Sequence, residues 1–515
     1  MKMKPFKMNY TKALFLIASW TSLSYSQGIA PKPDKYLLGK STAITETTVF
    51  THPGLLNSKA ELDFVKAKIK SGAEPWTSSF NKMKYSNFGS LSWVPKPLSV
   101  VNANGNDANV ENDDATAAYT QALLWYFTDN EAYARKSVEI LNAWSSTLTS
   151  HTSADLQKQL VAGWCGSVFP LAGEILRASY PKWTSSEINQ LSSMLSKAFL
   201  PLLGNGNPTY NGNWELSMIN ALMCIGVFND DSTTFERGVF FWRKRVPAYF
   251  YMTTDGSTPI RPYGTSTLNS ESAINNYWGN PYRYFDGLCQ ETYRDYGHHM
   301  QMGLASAVNS AEIAFHQGID LYAENDKRIV AGMEFQASTL LGNPVSTDLF
   351  PNGFIASDLL PTWEIAYNHF HNRKGLALPM TYSLITNKIR SSYFAAMLNL
   401  VWESATHAEL ANNVTHVEPF EASLGSAPLK FELGQNYPNP FNPTTSISYS
   451  LPHSSFVTMR VYDVIGKEVA ILVSEQKDAG MYEVRFDASE LSSGIYVYCL
   501  TTSSSILSKK MMLIK

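Results

Sequence analysis

Apolar positions recur at helical spacing through most of the chain and at every second position near its end. Within 131–148, Ala134, Val138, Leu141 and Trp144 mark one stripe, which predicts an amphipathic helix. The same period runs through 115–127, 160–178, 216–228, 234–250, 304–321, 328–341 and 384–401. Thr184-Ser185-Ser186-Glu187 has the spacing of a capping box and sets a helix start at about Ser185. Asn112-Asp113-Asp114 precede the helix predicted from Ala115 and read as its N-cap candidates. Some ten helices joined by short Gly-, Pro-, Asn- or Asp-bearing loops, without a fixed-period repeat, predict helical hairpins arranged in an (α/α) toroid over 51–412.

The period changes after a linker at 413–432. Alternating strands are expected at 445–451, 457–464, 482–487, 494–501 and 506–514, with Val457, Met459 and Val461 on one face. They predict a small antiparallel β-sandwich over 433–515. At the other end, Lys2, Lys4, Lys7 and Lys12 precede an apolar run and Ser24-Tyr25-Ser26, which describes a secretory signal peptide at 1–26, followed by a lead-in at 27–50. No later stretch is expected to be long and apolar enough for a transmembrane helix.

Composition changes this picture little. A net charge of -3 offers no basic face for phosphates and argues against nucleic acid. Aromatic content of 13% suits a sugar-stacking groove or a large core equally. Cys165, Cys224, Cys289 and Cys499 are widely spaced and read as buried free thiols. Asn413-Val414-Thr415 is a sequon that matters only in a glycosylating host.

The chemistry is concentrated in 290–301, which holds Gln290, Glu291, Arg294, Asp295, Tyr296, His298 and His299. Clustered ionisable groups cost desolvation energy unless they pair or meet a ligand, so this segment is a buried polar network or the wall of a polar site. The helix-poor stretch 253–290 leads into it and carries Tyr263, Tyr277, Tyr282 and Tyr284. A second cluster, Asn211-Gly212-Asn213-Trp214-Glu215, opens the helix at 216–228; it can cap that helix, or offer an amide beside a ring to a sugar acid. Trp363-Glu364 and Tyr367-Asn368-His369 form a further polar and aromatic stretch, for which a structural role is the commoner reading. No His, Asp and Glu spacing makes a catalytic metal site, and no cofactor is expected.

Pro208-x-x-Asn211-Gly212-Asn213-Trp214-Glu215, Gln290-Glu291-x-x-Arg294-Asp295-x-x-His298 and Gln317-Gly318-Ile319-Asp320-Leu321-Tyr322 together resemble the alginate lyase superfamily of polysaccharide lyases, most nearly polysaccharide lyase family thirty-eight. His52-Pro53-Gly54 and Ala117-Ala118-Tyr119-x-Gln121-Ala122-Leu123 extend the resemblance over about 52–408. The tail, from Asn436-Tyr437-Pro438-Asn439-Pro440-Phe441-Asn442-Pro443 to the terminal Lys-Lys-Met-Met-Leu-Ile-Lys, resembles the type A sorting domain of type IX secretion. That implies the type IX machinery as a partner and a secreted or surface-attached protein.

The lyase resemblance implies β-elimination on an acidic polysaccharide. Such an enzyme neutralises the C5 carboxylate, abstracts the C5 proton and protonates the departing O4. The assignment is Asn213 and His298 as neutralisers, helped by Arg294, with one of Tyr263, Tyr277, Tyr284 and Tyr296 as base and acid. Trp214, Gln290, Glu291, Asp295, His299, Tyr367 and His369 are the expected substrate contacts. Related sequences carry His where Trp214 stands, and an apparent extra residue at His298-His299 leaves open which imidazole faces the cavity. Arg294 and Asp295 could simply pair, and Glu291 could brace the segment. Two other classes remain: a glycoside hydrolase using Glu291 or Asp295 as acid, and a non-catalytic glycan-binding protein.

Overall fold

The computed structural model describes residues 50–410 and 431–515 except 205, 357, 393–397, 435, 437, 438, 452, 453, 478, 479, 503 and 504. The signal peptide, the lead-in up to 49, the sequon and the linker up to 430 lie outside the described residues.

Four long helices, Asp107–Thr128, Gln157–Ser179, Gly212–Phe228 and His298–His316, form the inner layer. All four run in one direction. Strand β1 (Val100–Asn102) pairs in parallel with β2 (Ser150–Thr152), so the first two helices start from one end. Gly163 abuts Ser217 and Gly173 abuts Phe228, which sets the second and third in parallel register. The Ser217 and Ser306 hydroxyls, 3.2 Å apart, join the third to the fourth. Their N-termini therefore gather at one rim, where the partial positive ends of the helix dipoles also collect.

The return helices Glu131–Thr147, Ser185–Met194, Ser232–Arg245 and Leu321–Leu341 each follow one of them in sequence and expose one side, as amphipathic stripes require. The ring is closed by the stretch just before the last described helix, Glu403–Thr406: the Trp402 indole donates to the Thr120 hydroxyl at 2.8 Å, and the Asn399 amide to the Ser306 hydroxyl at 3.1 Å. At the end opposite the rim, Arg373 bridges Glu61 at 2.9 Å and Glu312 at 2.6 Å, with His316 2.9 Å from Glu61.

Several expectations are corrected. Asn112, Asp113 and Asp114 are not caps; they lie inside Asp107–Thr128, whose N-cap is Asn106. Buried Asp114 accepts from the Trp93 and Trp144 indoles, a tertiary use that local sequence does not reveal. The helix expected at 304–321 starts at His298 and stops at His316, before Gly318 at φ 81°. The one expected at 384–401 is Pro379–Leu384 continued by a wider turn at Ile385–Ile389, and Leu398 is left-handed at φ 55°. Contrary to expectation, Gln157–Ser179 is long and apolar enough to cross a membrane; 94% of its apolar window is buried in the core, which accounts for that composition. Cys165, Cys224 and Cys289 are buried and free, whereas Cys499 is only partly buried because it lies on the outer face of its strand.

The tail folds as two antiparallel sheets around its own core. β3 (Glu432–Leu433), β4 (Thr444–Leu451) and β7 (Gly480–Asp487) form one, in the order β3-β4-β7. β6 (Glu468–Lys477), β5 (Ser455–Tyr462), β8 (Gly494–Thr501) and β9 (Ile506–Leu513) form the other, in the order β6-β5-β8-β9. Val457, Met459 and Val461 point inward as their alternation predicts. β6 is absent from the expected strands; Val469 to Val473 are apolar in succession rather than alternating, and its register against β5 shifts twice.

Candidate functional site

The centre of the site is Glu291, which is fully buried. The helix Gly212–Phe228 starts at Asn211, which gives it no side-chain cap. Its first backbone donors are instead satisfied from the other cluster: the Gly212 N–H donates to Gln290 Oε1 at 2.8 Å and the Asn213 N–H to Glu291 Oε2 at 3.1 Å. A carboxylate at this N-terminus is also favoured by the helix dipole. The Asn213 amide donates to Glu291 Oε1, the Tyr249 hydroxyl to Oε2 at 3.1 Å and Arg294 to Oε1 at 3.0 Å. Glu291 thus braces Asn213, and Arg294 pairs first with Glu291 rather than Asp295, whose nearest oxygen is 4.0 Å away. Asn213 is fully buried and its Oδ1 has no partner among the described residues.

Tyr249 holds this arrangement from behind. Its ring lies between Gly212 and Gly303, where an added Cβ would stand 2.0 Å and 2.1 Å from Tyr249 atoms. Burial and the Glu291 charge push its phenol far up, so it remains a donor. Gly303→Ala is expected to displace the ring and destabilise the fold by about 1–3 kcal/mol, as overpacking does. Urea unfolding would show the lowered midpoint.

Two aspartate–histidine pairs stand at the start of His298–His316. His299 Nδ1 is bound to Asp295, whose carboxylate also accepts the His299 N–H at 3.2 Å. Burial raises the Asp295 pKa, but these bonds outweigh it and lower it. His298 Nδ1 is 2.9 Å from Asp358 Oδ1. Burial pulls the His298 imidazole toward neutrality, but the hydrogen bond and charge of Asp358, with Asp295 nearby, raise its pKa above the ordinary value. His299 shares a helix face with Gly303 and Ser306, at i+4 and i+7, and those residues meet Tyr249 and Ser217. That face looks toward the Asn213 helix. His298 is turned instead to the loop carrying Asp358, and its buried Nε2 has no partner among the described residues.

A second network lies behind Trp214. Buried Arg245 binds Glu215, the Pro208 carbonyl at 3.1 Å and the Tyr277 hydroxyl at 2.9 Å, and that hydroxyl donates to the Tyr210 carbonyl. Burial raises the Tyr277 pKa against the opposing Arg245 charge. Trp214 is half-buried, its ring 4.5 Å from that of Tyr210.

The structure separates the remaining candidates. The Tyr284 hydroxyl donates to Asn275 at 2.7 Å, and its ring packs with Tyr251 and Trp278 in a small apolar cluster. Tyr263 is exposed, edge-on to Phe240. Tyr296, left-handed at φ 54°, sets its half-buried ring against Phe350 and Phe354, and its hydroxyl makes no hydrogen bond among the described residues. Neither residue expected at 367–369 joins the cluster. His369 stacks on Tyr322 and meets Phe315, near the opposite end of the helix that starts at His298, roughly 25 Å away at 1.5 Å per residue. Tyr367 packs on His371 and Tyr382. Burial lowers the His369 pKa to about 3, the state of a core imidazole.

Sequence reading missed Tyr249, Arg245 and Asp358. Tyr249 sits at the end of an apolar period, and only Gly212, the first residue of its helix, and Gly303, inside another, hint at the ring between them. Asp358 lies in an irregular stretch that shows no period. Among the described residues, Glu61, Glu312 and His316 lie close enough together to hold a metal ion, but Arg373 already pairs with both carboxylates there.

Residues 96–260 match the family described as alginate lyase, and residues 435–515 that described as secretion system C-terminal sorting domain. No curated protein matches the chain. Among solved structures it is similar to alginate lyase A1-III from Sphingomonas species A1, at 14% identity over 71% of this chain and 98% of that one, with a TM-score of 0.42. It is similar also to an alginate lyase from Bacteroides ovatus, at 16% identity over 71% of this chain and all of that one (100%), with a TM-score of 0.42.

Proposed function

From a chain whose residues 96–260 match the alginate lyase family and whose residues 435–515 match a secretion sorting domain, we propose a secreted polysaccharide lyase that cleaves a uronate polymer by β-elimination around Asn213. The observation that carries this reading is the Glu291 hub, which fixes an amide and a guanidinium beside two aspartate-held imidazoles.

The second amide N–H of Asn213 and the charge of Arg294, with the His298 imidazolium adding positive charge from the Asp358 side, neutralise the C5 carboxylate and stabilise the negative charge that develops as the C5 proton leaves. His299, with Nδ1 fixed by Asp295, takes that proton on Nε2. The C4–O4 bond breaks, a C4–C5 double bond forms, and the Tyr296 hydroxyl delivers a proton to O4. Tyr277 and Tyr284 have their hydroxyls committed to protein partners and are left out of the proton transfers. Among the described residues, the carboxylates of this site, Glu291, Asp295 and Asp358, are each engaged by a partner, which leaves the hydrolase alternative without a free acid.

Mannuronate-rich alginate or glucuronan is the expected substrate. Incubating the purified chain separately with polymannuronate, polyguluronate and glucuronan should raise ultraviolet absorbance with one of them, and a flat trace with all three counts against the reading. The pH profile supplies a sharper check. His298 is cationic below its raised pKa and loses that charge as pH rises through it. Asp358→Asn removes the negative charge that helps raise it, so the alkaline limb of the kcat/KM profile should move to lower pH. An unmoved limb would remove His298 from the mechanism.

A further inference from the structure

Apart from the Glu291 hub, the same rim carries a pocket of about 450 Å³ between the segment before β1 and the first turns of Asp107–Thr128. Its walls include Asn87, Ser90, Trp93, Lys96, Asp113 and Asp114. The pocket is built on Asp114, which is 2% exposed. One Asp114 oxygen accepts the Trp93 indole at 2.7 Å; the other accepts the Lys96 N–H and the Trp144 indole, each at 2.7 Å. Lys136 grips the Trp93 carbonyl at 2.9 Å, and Phe88 lies 5.5 Å from the Trp93 ring. Trp93 is therefore held at its indole N–H, its ring and its carbonyl, and its half-buried ring keeps part of its surface open beside an exposed ammonium and an exposed carboxylate.

We propose that this pocket is a remote saccharide subsite, binding an acidic sugar of the same polymer away from the bond that is cut; this rests on the polyuronate reading above. The ring supplies a stacking surface. Lys96 pairs with the sugar carboxylate, and Asp113 with Ser90 and Asn87 takes its hydroxyls. Asp114 does not repel the ligand, because its charge is already held by three donors. Asp113 precedes Thr120 by two helical turns on one face, and Thr120 is the residue that Trp402 binds to close the ring. The pocket thus opens at the end where the four inner N-termini gather. One helix, Gln157–Ser179, intervenes between it and the Asn213 helix, so the two sites lie roughly 20 Å apart at 8–10 Å per helix spacing. Only an oligosaccharide of several units reaches both.

The test is calorimetric binding of a uronate hexasaccharide and a uronate disaccharide to the full chain carrying Asn213→Ala, alone and with Lys96→Met or Trp93→Phe added. Lys96→Met keeps the aliphatic stem of an exposed side chain, so it remains informative if Trp93→Phe misfolds. The expected result is hexasaccharide binding about tenfold weaker with either addition and disaccharide binding unchanged. Equal hexasaccharide binding in all variants, or none to the starting chain, overturns the subsite. Hexasaccharide binding that depends on Lys96, in a chain whose unmodified form yields no double bond, supports the subsite and overturns only the lyase reading.

Discussion

Asn213→Ala is expected to lower kcat for elimination by about 10²–10³-fold, the usual cost of removing one preorganised donor aimed at developing negative charge. The fold should survive it. The Asn213 backbone N–H still donates to Glu291, which keeps Tyr249 and Arg294, so only one side-chain bond is lost, worth about 1 kcal/mol net. A large loss of kcat with a small shift in the urea midpoint would separate a reacting group from a packing one. Equal losses in both would mean that Asn213 serves only to start its helix.

Glu291→Ala should do the reverse, acting on stability first. It leaves a buried backbone N–H, a buried amide and a buried phenol without their acceptor, each costing about 1–3 kcal/mol, so a total of about 3–5 kcal/mol is expected. Arg294 is partly exposed and can turn to water, so its lost pairing adds little. Glu291→Gln keeps the shape but points an NH2 group at donors, and should cost less than the alanine while still lowering kcat through a displaced Asn213. Denaturant unfolding paired with single-turnover rates on the two variants measures both effects; an unaltered midpoint in Glu291→Ala would contradict the hub.

The helical hairpins and the tail sandwich were legible because their apolar periods are long and each is set by local burial. Thr184 and Glu187 marked a helix start correctly because a capping box is local chemistry. Asn112 to Asp114 misled for the opposite reason: their partners are Trp93, Trp144 and neighbouring helices, distant in sequence. In the site, the two clusters were recognisable as dense polar segments, but not that Gln290 and Glu291 cap the other cluster's helix. Gly212 and Gly303 carry the only trace of Tyr249, since a missing side chain marks room without naming what fills it. Which of His298 and His299 turns toward the Asn213 helix is a matter of helix phase, and that helix begins at His298 rather than near Gly303. Tyr367 and His369 stand among the expected contacts although a structural role is the commoner reading, because sequence carries no record of which end of an inner helix a neighbour meets.

The most direct test of the mechanism is the ratio of new double bonds, read by ultraviolet absorbance, to new reducing ends in one digest of the accepted uronate polymer. Elimination around Asn213 predicts one double bond for each new reducing end, with both falling together in Asn213→Ala. Reducing ends without double bonds would contradict it and make the chain a hydrolase.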